Sequence, residues 1–357
     1  MIERLFRKGL DEIKPYVPGR GKESVPKGVK AVKLASNENP LGPSNKVLAT
    51  LRGIEKSAVN IYPDSMGRKL RSAISKYVGV KEDSIIIGNG SDEALELAVK
   101  VFLNRGEKAV IPVPTFSLYE NIVKVYSGEP VYVPLTTDFE YDVKRIINAV
   151  DEGTKMVFVC SPNNPTGSVM PSEDLKHLLE EEIVVILDEA YAEFADESNA
   201  KLVNEYENLV VLRTFSKAFG LAGLRVGYAI ADEKVAAFMD KVRLPFSVNT
   251  LAQAAALASL EDAEHLEKSV FLARTGRDHL YRELSKIQSI KVFPSQGNFL
   301  LVNTPKRPDV TAALLEKGII ARDCSGFRGL NSEYFRVSIG TEEENELLLG
   351  ALKKIMG

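Results

Sequence analysis

The sequence predicts an α/β fold in which strands and helices alternate, with more than one domain. Short apolar runs end in glycine or an acidic residue and lead into helical stretches, as in residues 84–103 and again after residues 184–188. This alternation is typical of a sheet whose strands run mostly parallel. Because the chain has 357 residues, longer than most single cores, we expect a large domain and a smaller one.

The composition disfavours several classes of protein. Hydrophobic residues make up 45%, charged residues 27%, and the net charge is −3, which describes a globular protein without the basic surplus of a nucleic-acid binder. The two cysteines, Cys160 and Cys324, and the three histidines, His177, His265 and His279, are too scattered for a disulfide framework or a metal site. The charged first 16 residues do not resemble a secretory signal, and no run approaches the roughly 18 apolar residues of a membrane span. We therefore expect a cytoplasmic protein without a metal.

The chain begins with an N-terminal arm, residues 1 to about 40. We expect an opening helix and then a loop at 14–28, because that segment is rich in proline and glycine. A Tyr-Pro turn at 60–67 precedes an amphipathic helix with apolar residues at helical spacing: Leu70, Ala73, Ile74 and Tyr77.

A glycine turn at residues 88–90 joins a short β-branched strand to a helix, with Ser91 as its expected N-cap. Free amides and the helix dipole at such a turn point at one spot and can bind an anion. Many α/β proteins have the same turn for structural reasons alone, so the local sequence fits both interpretations.

Two further strands run into polar turns. Residues 108–135 read as strand, helix and strand, with Phe116 at the start of the helix, where an aromatic residue is either core or a ligand platform. Residues 155–170 read as a buried strand followed by Asn-Asn-Pro-Thr-Gly, in which Pro165 and Gly167 constrain the backbone and let Asn164 present its amide.

Asp188 follows five apolar residues, Ile183 to Leu187, at the strand end where open α/β sheets bind ligands. A carboxylate in that position needs a charged partner. A metal-binding or Walker-type acid would also follow a strand, but no glycine-lysine loop of the Walker kind precedes it.

Lys217 has an unusual setting in the segment 211–228. Apolar neighbours such as Phe215 and Phe219 disfavour its charged form, and a neutral amine is the nucleophile that Schiff-base chemistry requires. The hydroxyls of Thr214 and Ser216 and the guanidinium of Arg225 suit a phosphate beside it. A buried turn whose lysine reaches water fits the local sequence equally well.

After a long alanine-rich helical region to about residue 285, the chain reads as strand, strand, helix, short strand, strand and helix. This pattern predicts an α+β C-terminal domain. Arg336 lies mid-strand among apolar residues, which favours a ligand-facing side chain, and Arg322 follows an apolar run.

The segment Ser216 to Tyr228, SKAFGLAGLRVGY, resembles the lysine segment of fold-type I pyridoxal-phosphate-dependent aminotransferases, and most of all the histidinol-phosphate aminotransferases. The resemblance extends over nearly the whole chain. It implies an arm (1–40), a large cofactor-binding domain (41–246) with a mostly parallel seven-stranded sheet, and a bridging helix with a small α+β domain (247–357). It also implies a homodimer with shared active sites.

The resemblance further implies pyridoxal 5′-phosphate as the cofactor and gives residues their roles. Lys217 would carry the cofactor and move the proton, Asp188 would pair with the ring nitrogen, and Asn164 and Tyr191 would bind the ring O3′ oxygen. Phe116, where many relatives have tyrosine, would stack on the ring. The expected phosphate ligands are Gly90, Ser91, Asp92, Thr214, Ser216, Arg225 and Tyr62 of a second subunit, and the expected substrate ligands are Tyr16, Asn37, Arg322 and Arg336.

The activity implied is transamination between histidinol phosphate and 2-oxoglutarate, yielding imidazole acetol phosphate and glutamate in histidine biosynthesis. A threonine-phosphate decarboxylase or an aromatic or broad-specificity aminotransferase would use a similar scaffold. A non-enzymatic cofactor-binding regulator is disfavoured because the sequence has no DNA-binding extension or basic arm.

Overall fold

The computed structural model describes residues 2–7, 9–13, 15 and 19–357. In this part of the chain the strands are β1 (Val32–Lys33), β2 (Ile85–Gly88), β3 (Lys108–Val113), β4 (Glu129–Pro134), β5 (Thr154–Cys160), β6 (Val184–Asp188), β7 (Leu209–Thr214), β8 (Gly227–Ala231), β9 (Lys291–Val292), β10 (Phe299–Asn303), β11 (Ile319–Ile320), β12 (Arg322–Asp323) and β13 (Tyr334–Ser338).

The α-helices are α1 (Asn45–Arg52), α2 (Ser57–Asn60), α3 (Arg68–Val78), α4 (Ser91–Phe102), α5 (Leu118–Val125), α6 (Val143–Asn148), α7 (Ser172–Leu179), α8 (Glu233–Val242), α9 (Thr250–Leu260), α10 (Ala263–Leu284), α11 (Val310–Glu316) and α12 (Glu342–Met356). Short 3-10 turns cover Ile2–Leu5, Leu10–Glu12, Lys22–Ser24, Glu82–Ser84, Ala192–Phe194, Ala200–Asn204 and Ala222–Leu224. None of the helices in the described ranges is both long and apolar enough to cross a membrane.

The larger sheet has seven strands in the order β2-β8-β7-β6-β5-β3-β4. Strand β8 runs antiparallel to both of its neighbours, and every other pair is parallel. The predicted mostly parallel seven-stranded sheet is therefore confirmed. Its central strands are apolar runs because helices cover them on both faces.

Alternate residues of each strand enter two separate cores. In β6, Val185 and Leu187 pack on one face of the sheet, whereas Val184 and Ile186 pack on the other. Helices α3, α6, α7 and α9 cover the first face, and α4, α5 and α8 cover the second. The result is a three-layer sandwich of helix, sheet and helix.

A smaller antiparallel sheet, in the order β12-β13-β10-β9, forms the C-terminal part together with α10, α11 and α12. Its order of elements matches the predicted pattern except at one place: the single short strand predicted before β13 is divided into β11 and β12, which lie in different sheets. Strand β1 pairs in parallel with β11, so residues of the predicted N-terminal arm join the C-terminal part. The division into 1–40, 41–246 and 247–357 stays a prediction.

Two local predictions are wrong. The opening segment forms 3-10 turns in its described residues rather than an α-helix. Ser91 is the first residue of α4 and not its cap: Gly90 holds the N-cap position with φ 83°, and no side chain bonds to the first amides there.

The direction of the strands determines where ligands can bind. Strands β2, β3, β5, β6 and β7 run the same way, so the loops that follow them meet at one edge of the sheet.

Candidate active site

One cleft at this edge brings together most of the residues singled out in the sequence. The predicted residues that line it are Asn37, Ser91, Asp92, Phe116, Asn164, Asp188, Tyr191, Thr214, Ser216, Lys217, Arg225, Arg322 and Arg336. Gly90 directly precedes Ser91 at its rim. Tyr62 is not among the lining residues, and Tyr16 lies outside the described residues.

Lys217 lies in the turn after β7, anchored by the fully buried side chains of Phe215 and Ala218. Its Nζ donates a hydrogen bond to the carbonyl oxygen of Ser36 at 3.1 Å. Burial, with the nearby charge of Arg336, lowers the pKa of this amine from 10.5 to about 8. At pH 7 about a tenth of Lys217 is therefore neutral and nucleophilic, far more than for a lysine with the ordinary pKa.

Asp188 ends β6 and is buried. Its Oδ2 accepts a hydrogen bond from the Tyr119 hydroxyl at 2.7 Å, and its Oδ1 accepts one from the Ala190 amide at 3.0 Å. Burial raises the pKa of this carboxyl to about 6 despite these donors. No lysine or arginine of the described chain forms an ion pair with Asp188, so the carboxylate is suited to a cationic ligand group.

A second subsite has the character of an anion site. The amides of the first turn of α4 lack a side-chain cap, and Arg225 lies beside this turn, with its Nη2 3.0 Å from Asp92 Oδ2. A Cβ at Gly90 would lie 2.6 Å from Arg225 Nη2, so only glycine permits this approach. The hydroxyls of Thr214 and Ser216 are linked at 2.9 Å on the same side. Hydroxyls, amides and a guanidinium together suit a phosphate.

Arg225 and Asn37 both have left-handed backbones, each with φ 53°. This region is uncommon for residues other than glycine and is enriched at ligand sites.

Asn164 and Tyr191 line the same cleft. Asn164 Oδ1 accepts a hydrogen bond from Arg336 Nη1, which leaves its amide nitrogen as the donor group. The Tyr191 hydroxyl accepts from Asn37 Nδ2 at 2.9 Å, so its own proton is directed elsewhere, and burial raises the pKa of this phenol to about 12. Both residues can therefore donate to a ligand oxygen.

Two arginines form the far wall of the cleft. Arg336 in β13 and Arg322 in β12 are direct partners across the antiparallel pair, so their side chains share one face. Arg336 Nη2 donates to the Ala35 carbonyl at 2.7 Å, while the Arg322 guanidinium carbon lies 5.8 Å from the Phe327 ring centroid. This wall suits the oxyanion of a substrate.

Tyr62 lies on the outer surface of its own subunit. Its side chain is 78% exposed and stacks on Phe246, with 4.5 Å between ring centroids. Val59 and Ile61 beside it are also largely exposed. In this chain Tyr62 does not reach the cleft, and its role in a second subunit stays a prediction.

Comparison with known proteins decides the family. The model of the aminotransferase class I and II family matches residues 29–352. The chain belongs to this family. It is 43% identical to the histidinol-phosphate aminotransferase of Methanosarcina mazei, over 98% of this chain and 96% of that protein. The predicted family is thus confirmed.

Two solved structures are similar over most of the chain. The histidinol-phosphate aminotransferase of Clostridium acetobutylicum has a TM-score of 0.85 and 31% identity, covering 91% of this chain and 99% of its own. The histidinol-phosphate aminotransferase of Sinorhizobium meliloti, in complex with pyridoxal 5′-phosphate, has a TM-score of 0.87 and 27% identity. The match covers 98% of this chain and 97% of that one. These comparisons confirm the fold-type I architecture and the predicted class, a pyridoxal-phosphate-dependent aminotransferase.

The aminotransferase cleft fits this cofactor. Pyridoxal 5′-phosphate carries an aldehyde, a basic ring nitrogen and a phosphate, and the cleft offers a chemical partner for each. Lys217 is the amine with a lowered pKa, Asp188 is the buried carboxylate without an ion-pair partner in the described chain, and the Gly90 turn with Arg225 is the anion site. Among the described residues no group of histidine, cysteine, aspartate and glutamate side chains is arranged to hold a metal ion.

Four residues that line the aminotransferase cleft or support the residues lining it were missed in the sequence. Tyr119 bonds Asp188, Ser338 bonds Asn37, Asn163 ties the 161–167 loop to Thr115 and Pro114, and Phe327 lines the cleft. Two of them carried a signal: Tyr119 follows Phe116 by three residues at the start of a helix, and Ser338 follows Arg336 by two in a strand. Both spacings put side chains on a shared face.

Proposed function

We propose that this aminotransferase exchanges the amino group of histidinol phosphate with 2-oxoglutarate, giving imidazole acetol phosphate and glutamate in histidine biosynthesis. The observation that carries the proposal is the paired guanidinium wall of Arg322 and Arg336 beside Lys217. The name of the relative from Methanosarcina mazei, 43% identical over nearly the full length, points the same way.

The two substrates differ in the anion that this wall must bind. Histidinol phosphate has a phosphate ester where glutamate has its α-carboxylate. Guanidinium groups donate two parallel hydrogen bonds to either oxyanion, so a pair of arginines tolerates both. Tyr16 and Asn37 are further proposed substrate ligands, of which Asn37 lines the cleft.

The proposed roles of the chain's own residues follow from their hydrogen bonds and charges. Lys217 Nζ would move a proton between the substrate carbon that bears the amine and the C4′ carbon of the bound cofactor, a general acid–base role typically worth about 10²–10⁴-fold in rate. A pKa of about 8 suits both directions of that transfer near neutral pH. When bound, the cofactor ring supplies an acceptor for the electrons left on that carbon.

The remaining residues would orient the cofactor. Asp188 holds the ring nitrogen in its protonated form, because an ionised carboxylate favours a cation beside it. Asn164 and Tyr191 donate to the O3′ oxygen, and Phe116 contributes a flat ring face without the hydroxyl that tyrosine would bring. The phosphate is bound by Thr214, Ser216, Arg225 and the amides of Ser91 and Asp92 after Gly90.

We also propose a homodimer in which Tyr62 of each subunit completes the phosphate site of the other. In support, Tyr62 and Phe246 form a stacked pair on a surface with exposed Val59, Ile61 and Leu244. Large exposed apolar patches of this kind mark interaction surfaces. The cytoplasmic location stays a prediction.

A coupled assay tests the reaction. The purified holoenzyme is given 2-oxoglutarate with histidinol phosphate, phenylalanine or threonine phosphate, and glutamate and carbon dioxide are measured. We expect kcat/KM for histidinol phosphate to exceed that for phenylalanine by at least about tenfold, since phenylalanine has no phosphate dianion to offer the two arginines.

Other outcomes of the assay would favour the alternatives. Carbon dioxide from threonine phosphate without glutamate would indicate a decarboxylase, and equal use of phenylalanine a broad-specificity aminotransferase. Cofactor binding without turnover of any amine would indicate a regulator.

A further inference from the structure

Tyr119 contacts the acidic residue of the cleft without itself lining the cleft. Its side chain is only 1% exposed, and its hydroxyl lies 2.7 Å from Asp188 Oδ2 across 69 residues of sequence. None of the roles described above requires this hydroxyl. A buried tyrosine can fill a core as phenylalanine would, so the hydroxyl itself needs an explanation.

The position of Tyr119 is fixed by three contacts. Its amide donates to the carbonyl of Phe116 at 3.3 Å in the turn that leads into α5. Its ring stacks on Phe158, with centroids 5.1 Å apart and an interplanar angle of 8°. Its ring also meets Phe116 edge to face, at 5.8 Å and 89°. The hydroxyl is therefore aimed by packing rather than by the hydrogen bond alone.

We propose that Tyr119 is a positioning residue that keeps Asp188 ionised and aimed at the cofactor's ring nitrogen, and that aligns the Phe116 ring with it. The inference rests on the roles proposed above for Asp188 and Phe116. One side chain thereby controls two contacts of the same ring, one to its nitrogen and one to its face.

The surroundings of Asp188 explain why it needs such a donor. The groups that act on its carboxylate are Tyr119 on α5, the Ala190 amide, Asp92 on α4 and Lys217 after β7. Burial and Asp92 favour the protonated acid, whereas Tyr119, Ala190 and Lys217 favour the carboxylate.

The protonation state of the Tyr119 phenol sets the direction of its hydrogen bond to Asp188. Burial, together with the charge of Asp188, raises the pKa of Tyr119 well above 10, so the phenol keeps its proton and acts as a donor. Loss of this donor would leave Asp188 with one fixed oxygen instead of two.

Tyr141 provides a matched control. It is a second buried tyrosine in the same part of the molecule, and its hydroxyl donates to the carbonyl of Cys160, the residue paired with Asp188 between β5 and β6. Tyr141→Phe thus removes a buried phenol hydroxyl next to the same pair of strands without removing a hydrogen bond to the carboxylate.

The experiment compares Tyr119→Phe with Tyr141→Phe by titrating each apo-protein with pyridoxal 5′-phosphate and measuring the dissociation constant by absorbance. A hydrogen bond to a charged group accounts for about ten- to a hundredfold in an equilibrium. We expect Tyr119→Phe to weaken cofactor binding by about that factor and Tyr141→Phe by less than about threefold.

The same titration in an Asp188→Asn background separates positioning from packing. If Tyr119 acts through the carboxylate, Tyr119→Phe should weaken binding there by less than about threefold. An equal loss in both backgrounds, or no loss in the wild-type background, would overturn the proposal. If Tyr119→Phe does not fold, Tyr119→His is compared with Tyr119→Leu instead. Histidine keeps a hydrogen-bond donor in a ring, so Tyr119→His should bind the cofactor more tightly than Tyr119→Leu.

Histidinol phosphate takes no part in these titrations. A wrong substrate assignment would therefore leave the result for Tyr119 unchanged.

Discussion

Lys217 Nζ donates a hydrogen bond to the backbone carbonyl of Ser36, 3.1 Å away and 181 residues earlier in the chain. The carbonyl belongs to the segment after β1, which is itself attached to the C-terminal part through β11. The amine proposed as catalytic is therefore oriented by a segment that is remote in sequence. Because a carbonyl is a neutral acceptor, it orients the amine without raising its pKa as a carboxylate would.

Burial of Lys217 should reduce the stability of the apo-protein. Its pKa is lowered from 10.5 to about 8 in the folded state, so the destabilisation is complete below pH 8 and disappears as pH rises through 10.5. We expect Lys217→Met to stabilise the apo-protein at pH 7 by about 1–3 kcal/mol and to have little effect at pH 10.5. Urea unfolding at both pH values measures this, and a destabilised variant at pH 7 would contradict it.

Lys217 should also be the residue that borohydride treatment of the holoenzyme labels with the cofactor. Peptide mass analysis locates the label, and Lys217→Ala should abolish both the label and turnover. Label on another lysine, or turnover by Lys217→Ala, would refute the central role proposed for this amine.

Asp188 should give the apo-protein the opposite pH dependence. Its folded-state pKa of about 6 exceeds the ordinary 3.8, so its favourable contribution is present below pH 3.8 and is lost as pH rises through 6. Asp188→Asn should therefore gain stability relative to the wild type as pH rises from about 4 to about 6.5. It should lose cofactor affinity at the same time. A constant difference in unfolding free energy across this range would contradict the assignment.

The two arginines should differ in which substrate depends on them. Loss of one of two cations costs a phosphate dianion more than a carboxylate monoanion. Arg322→Gln should therefore lower kcat/KM for histidinol phosphate at least about tenfold more than for glutamate. Arg336→Gln should impair both substrates, because Arg336 also bonds Asn164 and Ala35. Equal losses for both substrates in Arg322→Gln would argue against the proposed shared anion site.

The sequence revealed residues whose signal is local and missed those whose partner is distant. Asp188 and Lys217 follow apolar strands, and a charged residue after such a strand stands out in the sequence. Tyr119 becomes meaningful only through a partner 69 residues away, and the bond between Asn37 and Tyr191 spans 154 residues.

The sheet was predictable because burial on both faces leaves continuous apolar runs. The left-handed backbone of Arg225 was not predictable from the sequence. That conformation goes with the close approach of the Arg225 side chain to Gly90 and not with the residue's own preference.

The ion pair of Arg328 and Glu120 should act on substrate binding rather than on chemistry. Arg328 reaches both carboxylate oxygens at 2.9–3.2 Å and joins the segment that carries Phe327 to helix α5. Although burial opposes it, hydrogen bonds from Arg328 and Lys124 lower the pKa of Glu120 to about 2, so this pair persists from pH 5 to 9. We expect Glu120→Gln to raise KM several-fold with kcat within about twofold.

Lys124→Gln is the control for this ion pair, which acts as a clamp between α5 and the segment that carries Phe327. It removes another partner of Glu120, which lies on the same helix, and leaves the contact with Arg328 intact. A fall in kcat with unchanged KM for Glu120→Gln would contradict the idea that the clamp holds the cleft wall in place.

The exposed position of Tyr62 leads to a prediction about mixed dimers. Tyr62→Ala should weaken cofactor binding, and Lys217→Ala should be inactive. When the two variants are unfolded together and refolded as a mixture, some dimers contain one subunit of each kind. In such a dimer one cleft carries both substitutions and the other carries neither, if Tyr62 serves the opposite subunit.

We therefore expect the mixture to regain up to about a quarter of wild-type activity under limiting cofactor, since about half of randomly paired dimers are mixed and each has one intact cleft. Size-exclusion chromatography of the mixture verifies that dimers form. Absence of any regain in such dimers would show that each cleft is completed within its own subunit.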